Sequence, residues 1–509
     1  MKLAFNNAVP TVVLLAGLVS ALTTPHDSAS KHKHKRGPIK PRRTTSLLIS
    51  PAGQPELPTV QEATAAASAA SLNLTNIQGD VLIGMKKNKE LFYFFSIAKA
   101  RDFKSKLVSD ILPLITTTTQ LLDVLTQPIT ALNIAFSQTG LTALSITDSL
   151  GDADFTAGQF AQLTTLGDPG STNWVPEFAG TSTHGVILVA SDTDDNINTE
   201  IASLERALGD SITKVYTLEG AARPGGEAGH EHFGFQDGIS NPAVIGFVSP
   251  LPGQAAVAPG TILLGEDGDT VTRPAWAQDG TFLVFRQLSQ LVPEFNKFLT
   301  DNPIDEPGLT PEQGSDLLGA RMIGRWKSGA PVDLSPLFDN ATLGADPQQN
   351  NNFTFEHPGA DLATNQTYCP FAAHIRKIRP RADLGTPEDA VHHIIRAGIP
   401  YGPEVSAGEA ATNTTSTERG LAFVAYQSNI GNGFQFLQQF WADNANFVHA
   451  GVGLDPIIGA AAGAPRVITG LDPTDETKTT TLTIDFVVSR GGEYFFTPSL
   501  SAIANTLSV

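Results

Sequence analysis

The chain has 509 residues, 41% hydrophobic and 17% charged, enough for a sizeable core and long for one ordinary domain, so two packed domains are expected. Asp and Glu outnumber Lys and Arg by 51 to 33, and a net charge of −18 argues against a nucleic-acid partner, which needs a basic face. The lone cysteine, Cys369, excludes an intrachain disulfide framework and any Cys-rich metal cluster.

Lys2 supplies a short basic region and residues 8–21 (AVPTVVLLAGLVSA) an apolar one ending in Val19-Ser20-Ala21, so residues 1–21 read as a secretory signal peptide. The stretch is too short to span a bilayer, and no second candidate follows. A secreted, extracellular protein without a membrane partner is expected. KHKHKR, ending in Lys35-Arg36, and then Arg42-Arg43 open a Ser/Thr/Ala-rich stretch. Residues 22–60 are expected to form a disordered pro-segment cut at a dibasic site. Sequons at Asn73, Asn340, Asn352, Asn365 and Asn413 mark surface loops of a glycoprotein.

DVLIGM (80–85) and LFYFFSIA (91–98) read as strands, 102–112 as a helix, 131–137 and GVILVA (185–190) as strands, and 196–208 as an amphipathic helix. In the second half TFLVFR (281–286) is a strand, 292–299 and 314–326 are helices, LAFVAYQ (421–427) is a strand and 434–444 a helix. LFYFFSIAKARDFKSKLV and TFLVFRQLSQLVPEFNKFL look like two copies of one strand–helix unit. That points to a duplicated α+β fold, although two unrelated units would show the same pattern. Residues 303–366 are polar, and 336–365 read as a glycosylated surface excursion that contributes little chemistry.

Four groups of residues can carry chemistry. Asp237 sits between glycines in GFQDG, where a carboxylate can point into a cavity or simply satisfy the amides of a tight turn. His374 lies in a small apolar run followed by Arg376, Lys377, Arg379 and Arg381. An imidazole beside cations suits haem, whose iron takes an axial nitrogen and whose propionates need positive partners; a core histidine beside a solvated basic strand is the plainer reading. Arg396, before the Gly/Pro turn of RAGIPYG, is either a guanidinium fixed over a cavity or a strand-end surface ion pair. Leu421, Phe423 and Trp441 are, on their own, ordinary packing residues.

Together GFQDG, AAHIRK, RAGIPYG and LAFVAYQ, in this order, resemble the dye-decolourising (DyP-type) haem peroxidases, and the leader and polar excursion are similar to those of secreted fungal members. The resemblance runs from NIQGDVLIGMK (76–86) to FVVSRGGEYFF (486–496). It implies two ferredoxin-like α+β domains, over 61–270 and 271–509, in a dimeric α+β barrel-like arrangement, with one haem b held mainly by the second. By the same resemblance His374 is the axial ligand of the haem iron, Asp237 the distal acid, Arg396 the distal arginine, and Leu421 and Phe423 the apolar lining of the distal pocket. Arg376 and Arg379 are expected at the haem, and Asp455 at the other His374 nitrogen, with Asp443 and Asp485 as alternatives. Trp441 and Tyr401 are candidate surface radical sites. Ala397 and Ala422 stand where family members often carry larger residues, which leaves the pocket volume open.

The implied activity is the use of hydrogen peroxide to oxidise anthraquinone and azo dyes and phenolic, lignin-related compounds by one-electron steps, through a ferryl intermediate formed with the distal Asp. A carboxylate titrates near about 3.9 against about 6.5 for histidine, so an Asp proton shuttle implies an acidic optimum. Two other classes compete. A zinc-type hydrolase could use His230-Glu231-His232 or His392-His393, although no third ligand stands at a recognisable spacing. A haem carrier or sensor would leave Asp237 and Arg396 idle, and peroxide turnover separates it from an enzyme.

Overall fold

A computed structural model describes residues 43–84, 87–180, 182–384 and 391–509. The signal peptide and the Lys35-Arg36 site fall outside the described residues. Residues 43–60, expected to be disordered, are anchored at points: the Arg43 guanidinium pairs with Asp192 and donates to the Pro128 carbonyl, and Leu47 is fully buried.

The core is one nine-stranded sheet. Its strands are β1 (Lys89–Ile97), β2 (Ala131–Phe136), β3 (Gly185–Ser191), β4 (Ile212–Ala221), β5 (Thr281–Gln290), β6 (Ile395–Arg396), β7 (Ile399–Tyr401), β8 (Gly420–Gln427) and β9 (Val487–Thr497). The spatial order is β5-β9-β2-β3-β1-β4-β7-β8, with β6 also on β8, and β8 pairs back onto β5. The sheet therefore closes on itself into a barrel. Taken separately, the first half runs β2-β3-β1-β4 and the second β7-β8-β5-β9, the same antiparallel order twice. The duplicated sequence unit falls on the first strand of each half and the helix that follows it. The halves meet through single residue pairs, Phe136 with Phe496 and Gly220 with Tyr401.

Strand alternation decides what fills the barrel and what covers it. Phe92 and Phe94 of β1 point inward and meet Phe285 of β5, at ring-centroid distances of 5.1 and 4.9 Å. β1 and β5 lie opposite each other in the strand order, so these contacts cross the interior. Leu91, Tyr93, Phe95 and Ile97 face outward under the helices Ala100–Lys106 and Asp194–Leu208, whose Phe103, Ile197, Leu204 and Leu208 complete a second core. In the second half, helices Val292–Asp301 and Pro311–Ile323 build a third core around Phe295, Leu317 and Leu318.

Three local expectations change. DVLI is not a strand but the helix Asp80–Ile83, buried throughout and ended by Gly84 at φ 55°. A short apolar run has no periodicity to tell the two apart. The helix expected over 434–444 is one α-turn, Phe434–Phe436, continued by the π-helix Leu437–Ala442. The polar excursion is not all surface: Asn350, Asn351, Phe353 and Phe355 are buried, and the first two bind Arg325. The side chains at Asn73, Asn340, Asn352 and Asn413 are exposed and Asn365 is half-buried.

Candidate active site

A cavity of about 280 Å³ lies against the outer face of β5 and β8, roofed by the 230–240 loop and floored by the helix His374–Ile378. Asp237, Arg396, His374, Leu421 and Phe423 all line it, although they come from four separate stretches of chain.

On the floor, His374 and Ile378, four residues apart, share one face of the short helix. His374 donates its Nδ1–H to Asp455 Oδ2 at 2.8 Å, which fixes the tautomer and leaves Nε2 as the nitrogen for the cavity. The imidazole keeps 28% of its accessibility while Asp455 has none. The other Asp455 oxygen accepts the amides of Ile457 and Ile458 at 2.8 and 3.0 Å. Burial is the largest influence on this carboxyl and pushes it up, but the imidazole and the two amides together hold it below its ordinary range. Asp443 and Asp485 have other partners: Asp443 accepts from Gln438 and Ala460, and Asp485 pairs with Arg466. Gly453, at φ 96°, opens the turn that delivers Asp455, and a Cβ there would sit 2.4 Å from the Val467 carbonyl.

In the roof, Asp237 stands between Gly234 at φ 94° and Gly238 at φ 88°. Its Oδ1 accepts the Gly238 amide at 2.6 Å and an ion pair from Arg396 Nη1. The Asp237 amide donates to the Gly229 carbonyl at 3.0 Å, and Gln54 donates to its carbonyl. The turn reading and the cavity reading of this aspartate thus hold at once. Glu231 anchors the same loop from within: its buried carboxylate accepts the amides of Phe233 and Phe235, both at 2.8 Å, and the Gln290 side chain.

Two pairs of expectations need correction. Arg376 and Arg379 do not line the cavity. Two positions along a helix turn a side chain to the far side, so Arg376 points away from the His374 face. It pairs with Asp383 through two nitrogens at 2.7 Å, between the rings of Phe355 and Phe371 at 4.7 and 4.1 Å. Trp441 and Tyr401 are not at the surface: each is 4% exposed. Trp441 is stacked on Phe447, and Tyr401 donates its hydroxyl to Glu418 at 3.0 Å. The cavity cations missed in the sequence are Arg286 and Arg325. A guanidinium closing the apolar run TFLVFR was the available signal for the first.

The donor set suits haem: the His374 imidazole with its tautomer fixed, beside His392 and His393, arginines on the walls, and broad apolar surfaces from Ile323, Ile375, Ile378, Phe423 and Ile457. The zinc alternative finds no support in the geometry. His230 Nε2 is bonded to the Lys327 carbonyl and His232 Nε2 to that of Tyr401, and among the described residues no three His, Cys, Asp or Glu side chains are grouped to hold a metal ion.

Residues 76–224 match the family described as DyP dimeric alpha+beta barrel domain, and residues 230–449 match Dyp-type peroxidase, C-terminal. Peroxidase 2 of Mycetinis scorodonius is 61% identical over 492 residues, spanning 93% of this chain and 95% of that protein. The crystal structure of a fungal DyP-type peroxidase from Auricularia auricula-judae superposes with a TM-score of 0.84 at 56% identity, over 86% of this chain and 99% of that one. A dye-decolorizing peroxidase whose heme pocket was engineered for asymmetric sulfoxidation gives the same TM-score at 55% identity, over 86% of this chain and all of that one. With both halves of the barrel matched and the likeness running nearly end to end, the chain belongs to the DyP-type haem peroxidases, oxidoreductases that use peroxide.

Proposed function

We propose that this protein is a secreted peroxidase that oxidises dyes and phenolic compounds at the expense of hydrogen peroxide, with His374 holding the haem iron and Asp237 and Arg396 acting on the peroxide. The observation that carries this reading is the convergence of the Asp237–Arg396 pair and the Asp455-fixed His374 on one apolar cavity. When bound, haem supplies the iron that takes two oxidising equivalents from peroxide and passes them on singly.

The chain's own residues manage protons and charge. Asp237, as carboxylate, takes a proton from one peroxide oxygen and returns it to the other, directly or through a water. Arg396 is already held against Asp237 and offers its remaining N–H groups to the negative charge that grows as the O–O bond lengthens. Leu421 and Phe423 keep this end of the cavity apolar, which strengthens both interactions. The anionic Asp455 makes His374 a stronger electron donor.

Small phenols reach the cavity, whereas bulky anthraquinone and azo dyes are oxidised from outside. Trp441 serves them as an internal relay: His392, on the cavity wall, lies 5.5 Å from its ring. Replacing Trp441 with Phe should slow bulky dyes several-fold and leave peroxide consumption with a small phenol unchanged; equal dye rates would remove the relay. The leader and the five sequons support secretion and glycosylation.

The test of the function is an absorption spectrum of the purified protein before and after one equivalent of peroxide, followed by dye. A Soret band that changes with peroxide and recovers as dye bleaches is expected, with the band lost in His374→Ala. A band unmoved by peroxide would leave only a haem carrier.

A further inference from the structure

Three arginines line the cavity, and their hydrogen bonding is unequal. Arg325 donates to the carbonyls of Gly329 and Asn350 and to the Ser240 and Asn351 side chains. Arg396 is paired with Asp237. Arg286 is different. Its Nη2 alone serves both Asp168 oxygens, at 2.7 and 2.8 Å, and the Ser489 hydroxyl. Its Nη1 is buried and has no hydrogen-bond partner among the described residues, and the residue as a whole is only 5% exposed.

A buried charged donor left unmet is costly, so a native site containing one requires an explanation. Asp168 is not free to turn toward Nη1, because Trp174 Nε1–H also holds one of its oxygens at 3.2 Å. The sheet register places the group: Arg286 stands directly opposite Phe423, so the two leave the barrel wall side by side. The Phe434 ring lies 6.0 Å from the guanidinium carbon, and Leu288 and Val487 complete an apolar surround. An apolar slot with one spare charged donor at its edge is matched to a flat apolar body that carries an acid group.

We propose that Arg286 Nη1 is a carboxylate-binding group at the edge of this cavity. The proposal rests on the haem-peroxidase reading and extends it to a residue outside the Asp237–Arg396 pair. Two carboxylates have the right chemistry: a haem propionate, in the part first expected of Arg376 and Arg379, and the acid group of an aromatic-acid reductant.

The test compares wild-type holoenzyme with Arg286→Lys, which keeps a cation for Asp168 but loses the second nitrogen. The double variant Arg286→Gln with Asp168→Asn, which removes both buried charges together, keeps the test open if the lysine enzyme folds poorly. Each protein is followed by haem transfer to excess apomyoglobin, by the propionate-bending bands in resonance Raman, and by KM for 4-hydroxycinnamate against its methyl ester. Haem loss faster by about ten-fold or more with shifted propionate bands identifies the propionate as the ligand. A KM increase of about ten-fold confined to the free acid, with haem retention unchanged, identifies the substrate. If all three readouts match wild type, Arg286 only closes an ion pair with Asp168 and the proposal falls. A wild-type protein without haem absorbance would overturn the underlying reading, and the proposal with it.

Discussion

Asp455 divides its two oxygens between different tasks. One is fixed by the Ile457 and Ile458 amides, which lock the carboxylate in place, and the other receives the His374 Nδ1–H. A neutral amide at this position would keep the shape and lose the charge. Replacing Asp455 with Asn should therefore raise the ferric/ferrous reduction potential of the bound haem, because an anionic partner favours the more positive iron. Potentiometric titration reads this directly, and an unchanged potential would show that Asp455 only orients the ring. Asp237 is a comparable case at the opposite wall. Its pairing with Arg396 ties the proposed proton carrier and the proposed charge stabiliser into one unit, so single replacements of the two should not add.

At the scale of elements, the barrel explains why residues about 160 positions apart can form one site. Leu421, Phe423 and Arg286 take their places from the alternation of paired strands, and Phe285, one residue from Arg286, points the other way into the interior. Phe285→Ala removes a ring in contact with Phe92, Phe94 and Phe178 and should cost about 3–5 kcal/mol, read as a lower denaturation midpoint of the holoprotein. Retention of wild-type stability would mean the interior is not close-packed.

This level also shows what the sequence made legible. Strands β1, β2, β3, β5 and β8 announced themselves by their β-branched and aromatic runs, and the repeated LFYFF and TFLVF units pointed to the duplication; β4, interleaved with polar residues, and β9, interrupted by Gly491-Gly492, went unread. Closure of the two halves into one barrel came from the family resemblance and not from any strand pattern, because the joints rest on single residue pairs at Phe136–Phe496 and Gly220–Tyr401. Family motifs pointed to Asp237, His374 and Arg396. They did not expose the inward turn of Arg376, which follows from its helical phase, or the burial of Trp441 behind Phe447, which depends on a π-helix. Asp168 and Arg286 meet only in three dimensions, across 118 positions.

For the whole molecule, the buried acids set the pH range of stability. Burial pushes Asp443 and Glu493 up to about 7. Between their ordinary values and about 7 the folded state holds protons that the unfolded chain releases, so stability should fall as pH rises through this window. Asp455 acts in the opposite sense: its lowered value contributes stability that is lost only as pH falls below the ordinary carboxylate range. The holoprotein should therefore melt at a higher temperature near pH 4.5 than near pH 7.5, by about a few degrees. Asp443→Asn with Glu493→Gln should flatten the profile. A melting temperature that climbs from pH 4.5 to 7.5 would contradict the assignment.

The proposed mechanism turns on Asp237 as the group that moves the peroxide proton. Stopped-flow mixing of haem-loaded wild type and Asp237→Asn with hydrogen peroxide, followed at the Soret band, addresses it most directly. The variant should retain its haem and react about 10²- to 10⁴-fold more slowly. A variant that reacts with peroxide as fast as wild type would contradict the claim and pass the proton to another group on the cavity wall.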